Sequence, residues 1–225
     1  MNFTEYNVND KNLEEILLAL KSLDAVEAVA LGGSRSTGEA DENSDYDIYV
    51  YCSEIPTGKT RENLLGKYCS VAEFGNHYWE SEDNTVMNNG TPVDIIYREI
   101  DRFGGYIDTV IKGGKAFNGY TTAFWHNIRN SKVLFDKTGT FTKFRDMAQI
   151  DYPENLRRAI IKNNRSLLSG KLPSYDRQIK KMQERGDIVS VNHRITAFLE
   201  SYFDVIFALN RQTHPGEKRQ VQLCK

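Results

Sequence analysis

The stretch that most constrains this chain is Gly32-Gly33-Ser34-Arg35-Ser36-Thr37-Gly38-Glu39-Ala40-Asp41-Glu42-Asn43-Ser44-Asp45-Tyr46-Asp47. An apolar run from Val26 to Leu31 leads into it, and a second, Ile48 to Tyr51, leads out. The pattern reads as strand, glycine turn, short helix or loop, then a strand opened by two carboxylates. Side chains alternate faces along a strand, so Asp45 and Asp47 share one face while Tyr46 and Ile48 turn to the other. Neighbouring carboxylates disfavour each other's charge unless a cation sits between them. Mg²⁺ suits such a place, because it takes a few carboxylates together with phosphate oxygens. The Gly-Gly-Ser turn offers close backbone approach, exposed N–H groups and a hydroxyl, which is what a phosphate requires. The stretch points to metal-assisted phosphoryl or nucleotidyl transfer. Ordinary turn chemistry explains one aspartate after Asn43-Ser44, but explains two on one face poorly.

Gly33-Ser34, Gly38 and Ser44-Asp45-Tyr46-Asp47-Ile48 resemble, at matching spacing, the signature of the DNA polymerase β-type nucleotidyltransferase superfamily. That superfamily has a third carboxylate on a later, neighbouring strand. Pro92-Val93-Asp94-Ile95-Ile96-Tyr97 fits, with Asp94 inside an apolar run. An acid buried there without donors or a cation would be costly. The resemblance implies Asp45, Asp47 and Asp94 as catalytic carboxylates holding a pair of Mg²⁺ ions roughly 3.5–4 Å apart. It also implies an NTP co-substrate, ATP first, bound through Gly33, Ser34 and Arg35. Arg35 reads equally well as a solvated loop arginine. Relatives often carry Arg where this chain has Thr37, so Lys162 or Arg165 are alternative cations for the phosphates. For each of those, solvent-facing helix charge is the simpler reading.

A chain of 225 residues fits one large or two small domains and can bury a proper core. No apolar stretch is long enough to span a bilayer, and the acidic N-terminus lacks a signal-peptide pattern. Cys52, Cys69 and Cys224, like the four histidines, lack metal-ligand spacing, which points to a reducing cytoplasm and away from zinc. Charge is uneven. Residues 1–150 hold 15 Lys and Arg against 23 Asp and Glu, whereas residues 151–225 hold 14 against 8. A basic half could meet a triphosphate held at acidic metal ligands, although two solvated surfaces explain the split as well. Neither half carries the basic stripe with interleaved aromatics of a nucleic-acid binder, so nucleic acid is disfavoured as a substrate.

Leu13, Ile16, Leu17, Leu20 and Leu23 recur at helical spacing behind Asn9 or Asp10 as cap. Strands are expected at 26–31, 45–52, about 76–81 and 92–98, with a short helix over 60–69 and another over 101–113. Residues 132–136 read as a last strand or a segment packed on the sheet, and 140–150 as helix. Asp151-Tyr152-Pro153 marks the domain boundary, followed by helices at about 153–169, 174–185 and 187–210. Residues 217–225 begin a further helical pattern that stops short, so the helical part is expected to be incomplete. The fold class expected is α+β: a nucleotidyltransferase fold, a mixed sheet flanked by helices, over residues 1–150, then an α-helical bundle over 151–225.

The helical tail resembles small-molecule, antibiotic-type nucleotidyltransferases. That resemblance implies transfer of AMP from ATP to a hydroxyl of an aminoglycoside- or lincosamide-like acceptor. Asp187 and Glu200 are weak candidates for the acceptor's base; the first reads more simply as an N-cap, the second as a helix-surface acid. Trp79, Trp125, Tyr152 and Tyr175 could stack on a base or sugar, with core packing the default. Two alternatives stand beside this reading. One is an antitoxin-type nucleotidyltransferase that modifies a protein partner. The other is a non-catalytic nucleotide-binding regulator, which an intact Asp45–Asp47–Asp94 set argues against.

Overall fold

The computed structural model describes residues 9–38, 40–41, 44–170 and 173–224. The chain divides into two compact units, Met1–Gly105 with Ile128–Gln149, and Tyr106–Asn127 with Ile150–Lys225. In the first unit, α1 (Lys11–Lys21) leads to β1 (Val26–Leu31), α2 (Gly33–Thr37), β2 (Tyr46–Cys52) and α3 (Gly58–Leu65). The hairpin β3 (Cys69–Asn76) and β4 (Ser81–Met87) follows, then β5 (Pro92–Glu99) and α4 (Ile100–Ile107). After α5 (Ala123–Asn130), β6 (Lys132–Asp136) and α6 (Thr140–Met147) complete the unit. The strands form one six-stranded mixed sheet in the order β3-β4-β5-β2-β1-β6. Among the described residues only the β2–β5 pair is parallel, and it sets Asp47 directly beside Asp94.

Strand alternation gives the two faces of this sheet different jobs. Ile48, Val50 and Cys52 of β2 and Val93, Ile95 and Tyr97 of β5 point into a core with Leu13, Ile16, Leu17 and Leu20 of α1 and Leu65 of α3. α1 is started by Asp10, whose carboxylate accepts the Asn12 and Leu13 N–H groups at 2.9 and 3.4 Å. The opposite face carries Asp47 and Asp94, and further along it Tyr51 packs against Phe103 and Phe141 with ring centroids 5.0 and 4.4 Å apart. Apolar burial on one face therefore fixes the register that exposes the carboxylates on the other.

The strand expected at 76–81 is instead the turn of the β3–β4 hairpin, and Trp79 at its tip is 88% exposed. The expected helix over 60–69 ends at Leu65, and Cys69 already begins β3. β4 escapes a hydrophobic scan because its sequence is Ser-Glu-Asp-Asn-Thr-Val-Met, with polar groups on both faces. Helix 101–113 is realised as α4 followed by a π-helical turn over Asp108–Lys112. Residues 132–136 do form a strand, pairing antiparallel with β1.

The second unit is helical: α7 (Glu154–Leu168), α8 (Tyr175–Glu184), α9 (Ile188–Leu209) and a short α10 (Gln220–Leu223). Asp187 caps α9, accepting the Ser190 N–H at 3.0 Å. Between α7 and α9 lies a buried polar knot. Asp204 accepts from the Thr121 N–H at 3.2 Å, the Thr121 hydroxyl at 2.7 Å and Asn164 Nδ2 at 3.0 Å. Asn164 Oδ1 in turn accepts from the Gly119 N–H at 3.0 Å. These bonds are outweighed by desolvation, which pushes the Asp204 carboxyl up to about 6.

A carboxyl raised on folding binds its proton more tightly in the native state, so its stabilising share is complete below the unfolded value near 4. That share fades as pH rises through about 6. Relative to Asp204→Asn, the native protein is expected to lose about 2 kcal/mol of stability between pH 4 and pH 7, measured by urea unfolding. A flat difference across that range would contradict the assignment.

Candidate active site

β1 ends where the glycine turn begins, and the Gly32 N–H donates to the Asp47 carbonyl at 2.9 Å, closing the β1–β2 ladder. The next residue, Gly33, has φ +58 and lies directly against the Asp47 side chain. A Cβ built on it would overlap Asp47 Oδ2 and sit 2.7 Å from Cγ. Glycine is required here twice, for the backbone conformation and for the contact. α2 is fastened by the Ser36 hydroxyl, which donates to the Gly33 carbonyl at 2.8 Å, and it ends at Gly38 with φ +80. The Ser34 hydroxyl makes no hydrogen bond among the described residues.

The sequence-selected acids converge. One carboxylate oxygen from each of Asp45, Asp47 and Asp94 lies within 4.8 Å of the others, and all three residues are partly exposed. Among the described residues no lysine or arginine pairs with Asp45 or Asp94. Three like charges this close are mutually destabilising without a cation. An all-oxygen donor set with open faces fits a hard divalent ion that also takes phosphate oxygens. The residues therefore fit a magnesium-type centre.

Two further groups belong to this neighbourhood and were not singled out from the sequence. Asn84 of β4 pairs with Asp94 in register, and its Nδ2 donates to Asp94 Oδ1 at 3.0 Å. Its Oδ1 accepts from Asn76 Nδ2 at 2.8 Å, which sets the amide's orientation toward Asp94. Glu82, two residues back on the same face, has its carboxyl raised by partial burial and then by the charges of Asp94 and Glu80. The polar alternation Glu82, Asn84 in β4 was the available signal, once β4 was known to be a strand.

Arg35 is committed to the loop. Its guanidinium donates to the carbonyls of Ser44 and Asp45, from Nε at 3.2 and 2.9 Å, and lies over the Tyr46 ring with 4.0 Å to the centroid. It thereby ties α2 to the backbone that presents Asp45. Arg35→Ala is expected to loosen that backbone and reduce turnover by about 10–100-fold, the usual range for groups that orient metal ligands. A kinetic comparison at saturating Mg²⁺ checks this; unchanged turnover would limit Arg35 to packing.

The remaining candidates are placed as follows. Trp125 is fully buried and packs on Tyr152, with centroids 5.1 Å apart. Tyr175 is partly exposed at the start of α8. Glu200 lies where a Cβ on Gly119 would meet it, and burial raises its carboxyl. Asp187 is occupied as a cap, and its hydrogen bonds from Ser190 hold its carboxyl below the usual range.

Residues 13–117 match the family model of a nucleotidyltransferase domain, and residues 122–219 match a domain of unknown function, DUF4037. No curated protein matches the chain in sequence. Among solved structures it is similar to a nucleotidyltransferase-like protein from Exiguobacterium sibiricum 255-15, at 8% identity and a TM-score of 0.46. That alignment covers 95% of this chain and 61% of the other. It is also similar to an aminoglycoside 6-adenyltransferase from Bacillus subtilis, at 12% identity and a TM-score of 0.35, covering 96% of this chain and 75% of that one. A CCA-adding enzyme aligns at 13% identity and a TM-score of 0.33, over 94% of this chain and 52% of its own. Residues 13–117 thus match a nucleotidyltransferase domain.

Proposed function

We propose that this chain is a Mg²⁺-dependent nucleotidyltransferase that transfers AMP from ATP to a hydroxyl of a small acceptor in the cytoplasm and releases pyrophosphate. The observation that carries the reading is the carboxylate cluster, three acids with oxygens within 4.8 Å, set beside the Gly33–Ser34 turn. Asp45, Asp47 and Asp94 would hold the metal, which when bound neutralises phosphate charge and acidifies the acceptor hydroxyl. Ser34 supplies its hydroxyl to a phosphate oxygen, and the Gly33 backbone allows close approach. Asp94, oriented by Asn84, takes the acceptor's proton as its oxygen bonds to the α-phosphorus and the bond to the leaving pyrophosphate breaks. Positioning and charge neutralisation supply most of the rate, as in phosphoryl transfer generally.

In this reading residues 1–150 are the catalytic domain and residues 151–225 a helical domain. The acceptor class, aminoglycoside or lincosamide antibiotics, follows from the resemblance of the tail. The test is pyrophosphate release with ATP and Mg²⁺ across a panel of both antibiotic classes, beside Asp94→Asn. Release that needs one acceptor and falls by at least about 10²-fold in the variant supports the proposal. ATP–Mg²⁺ binding without release across the panel would overturn the acceptor class, and absence of NTP binding would overturn the transferase chemistry.

A further inference from the structure

The second unit contains a hollow of about 650 Å³ along α7, lined by Arg157, Arg158, Lys162 and Arg165 together with Ile161 and Ser166. The spacing places four cations on one flank of a single helix, over successive turns. Arg158 and Lys162 are four residues apart and Lys162 and Arg165 three, and like charges at those spacings weaken a helix. The cost is only partly offset. Glu154 is the shared acid for Arg157 at 3.1 Å, Arg158 at 3.0 Å and Arg211 at 3.4 Å. Lys162 and Arg165 have no acidic partner among the described residues. Lys162 and Arg165 thus bring to the hollow positive charge that no acid among the described residues pairs with.

We propose that this hollow binds the phosphate group of a small phosphorylated molecule. Its volume is that of a small-molecule site, typically about 300–1,000 Å³. Guanidinium groups match phosphate oxygens two at a time, the lysine adds a mobile point charge, and Ile161 offers an apolar surface to the rest of the ligand. The described lining holds no aromatic side chain, whereas single-stranded nucleic acid is bound with stacking platforms. A compact phosphorylated ligand therefore suits it better than RNA. The phosphate has two available sources, a nucleotide or a sugar phosphate. The inference does not depend on the carboxylate cluster, because it concerns binding without metal.

The test is calorimetric titration of the full chain with inorganic tripolyphosphate in EDTA, comparing wild type, Lys162→Gln and Lys162→Gln/Arg165→Gln. Circular dichroism and the thermal midpoint establish that each variant is folded. Wild type is expected to bind, with affinity lower by about tenfold or more per charge removed. If AMP displaces bound tripolyphosphate at a lower concentration than ribose 5-phosphate does, the ligand is a nucleotide. The reverse order makes it a sugar phosphate. Equal binding by wild type and both variants, or no binding by wild type, would overturn the proposal. So would a hexauridylate that binds more tightly than tripolyphosphate, which would make the surface a nucleic-acid face.

Discussion

Gly33→Ala is expected to lower nucleotidyl transfer by at least about 10²-fold, the scale of loss that follows a displacement near 1 Å at a reacting centre. The methyl group has nowhere to go: a Cβ at this position overlaps Asp47 Oδ2 and lies 3.2 Å from Asp47 Cβ. Either the carboxylate rotates out of the cluster it forms with Asp45 and Asp94, or the turn lifts away from β2 and takes Ser34 with it. Backbone strain adds a separate cost, because φ +58 disfavours any residue with a side chain. Gly38→Ala separates the two effects. Gly38 has φ +80 but nothing within 4 Å of its would-be Cβ, so that variant carries the strain without the collision. Both variants should lose about 1–2 kcal/mol of stability from the strained backbone, while only Gly33→Ala should lose most of its turnover. Equal activities for the two would mean that the contact with Asp47 is immaterial to catalysis. A higher half-saturating Mg²⁺ concentration in Gly33→Ala would show that the cluster itself is disturbed.

The distribution of what the sequence disclosed follows from where the information is local. Asp45 and Asp47 are two residues apart on one strand edge, so period-two alternation alone puts them on one face. The glycine turn precedes them within the same stretch, β1 is marked by its apolar run and α9 by its broad apolar face. Asp94 needed a partner strand, and the apolar run around it supplied one: in the structure it pairs with Asp47 across a parallel ladder. The failures cluster in β3 and β4. His77-Tyr78-Trp79-Glu80 has the aromatic content of a strand, yet it forms the hairpin tip, with Tyr78 70% and Trp79 88% exposed. β4 has the composition of a loop, because polar groups on both its faces find partners on other elements. Asp83 meets Arg61, and Asn84 meets Asp94. Nothing within the strand itself announces those partners. Arg35 shows the same limit at the site: its type suggested a phosphate ligand, and nothing in its local sequence announced that Nε and Nη2 also donate to carbonyls nine and ten residues downstream.

The buried pair behind β4 gives the largest stability effect expected in the molecule. Arg61 on α3 and Asp83 on β4 are 1% and 0% exposed, with Nη1 3.2 Å from Oδ1. The guanidinium lies over the Tyr97 ring at 4.4 Å, and Asp83 also accepts the Gly75 N–H at 2.8 Å. Arg61→Met keeps much of the side-chain volume and removes the charge, leaving Asp83 buried without its cation. Such a loss costs about 3–5 kcal/mol. Burial already raises the Asp83 carboxyl, with the Gly75 N–H and Arg61 working against it. Removing Arg61 raises it further, so the variant's native state holds a proton that its unfolded state releases. A raised folded-state pKa stabilises at low pH and loses that contribution as pH rises. The deficit of Arg61→Met should therefore be greatest at pH 7–8 and shrink toward pH 5, read by urea midpoints. Arg61→Met/Asp83→Leu, which removes both charges, should recover most of the stability, because replacing a buried pair by apolar groups is often neutral. Its activity is the informative readout, since β4 presents Asp83 to the core and Asn84 to Asp94 from adjacent residues. Recovery of both stability and turnover would mean that the pair is needed only to keep β4 in register. Recovery of stability alone would mean that the position of Asn84, and through it Asp94, depends on the charge pair itself.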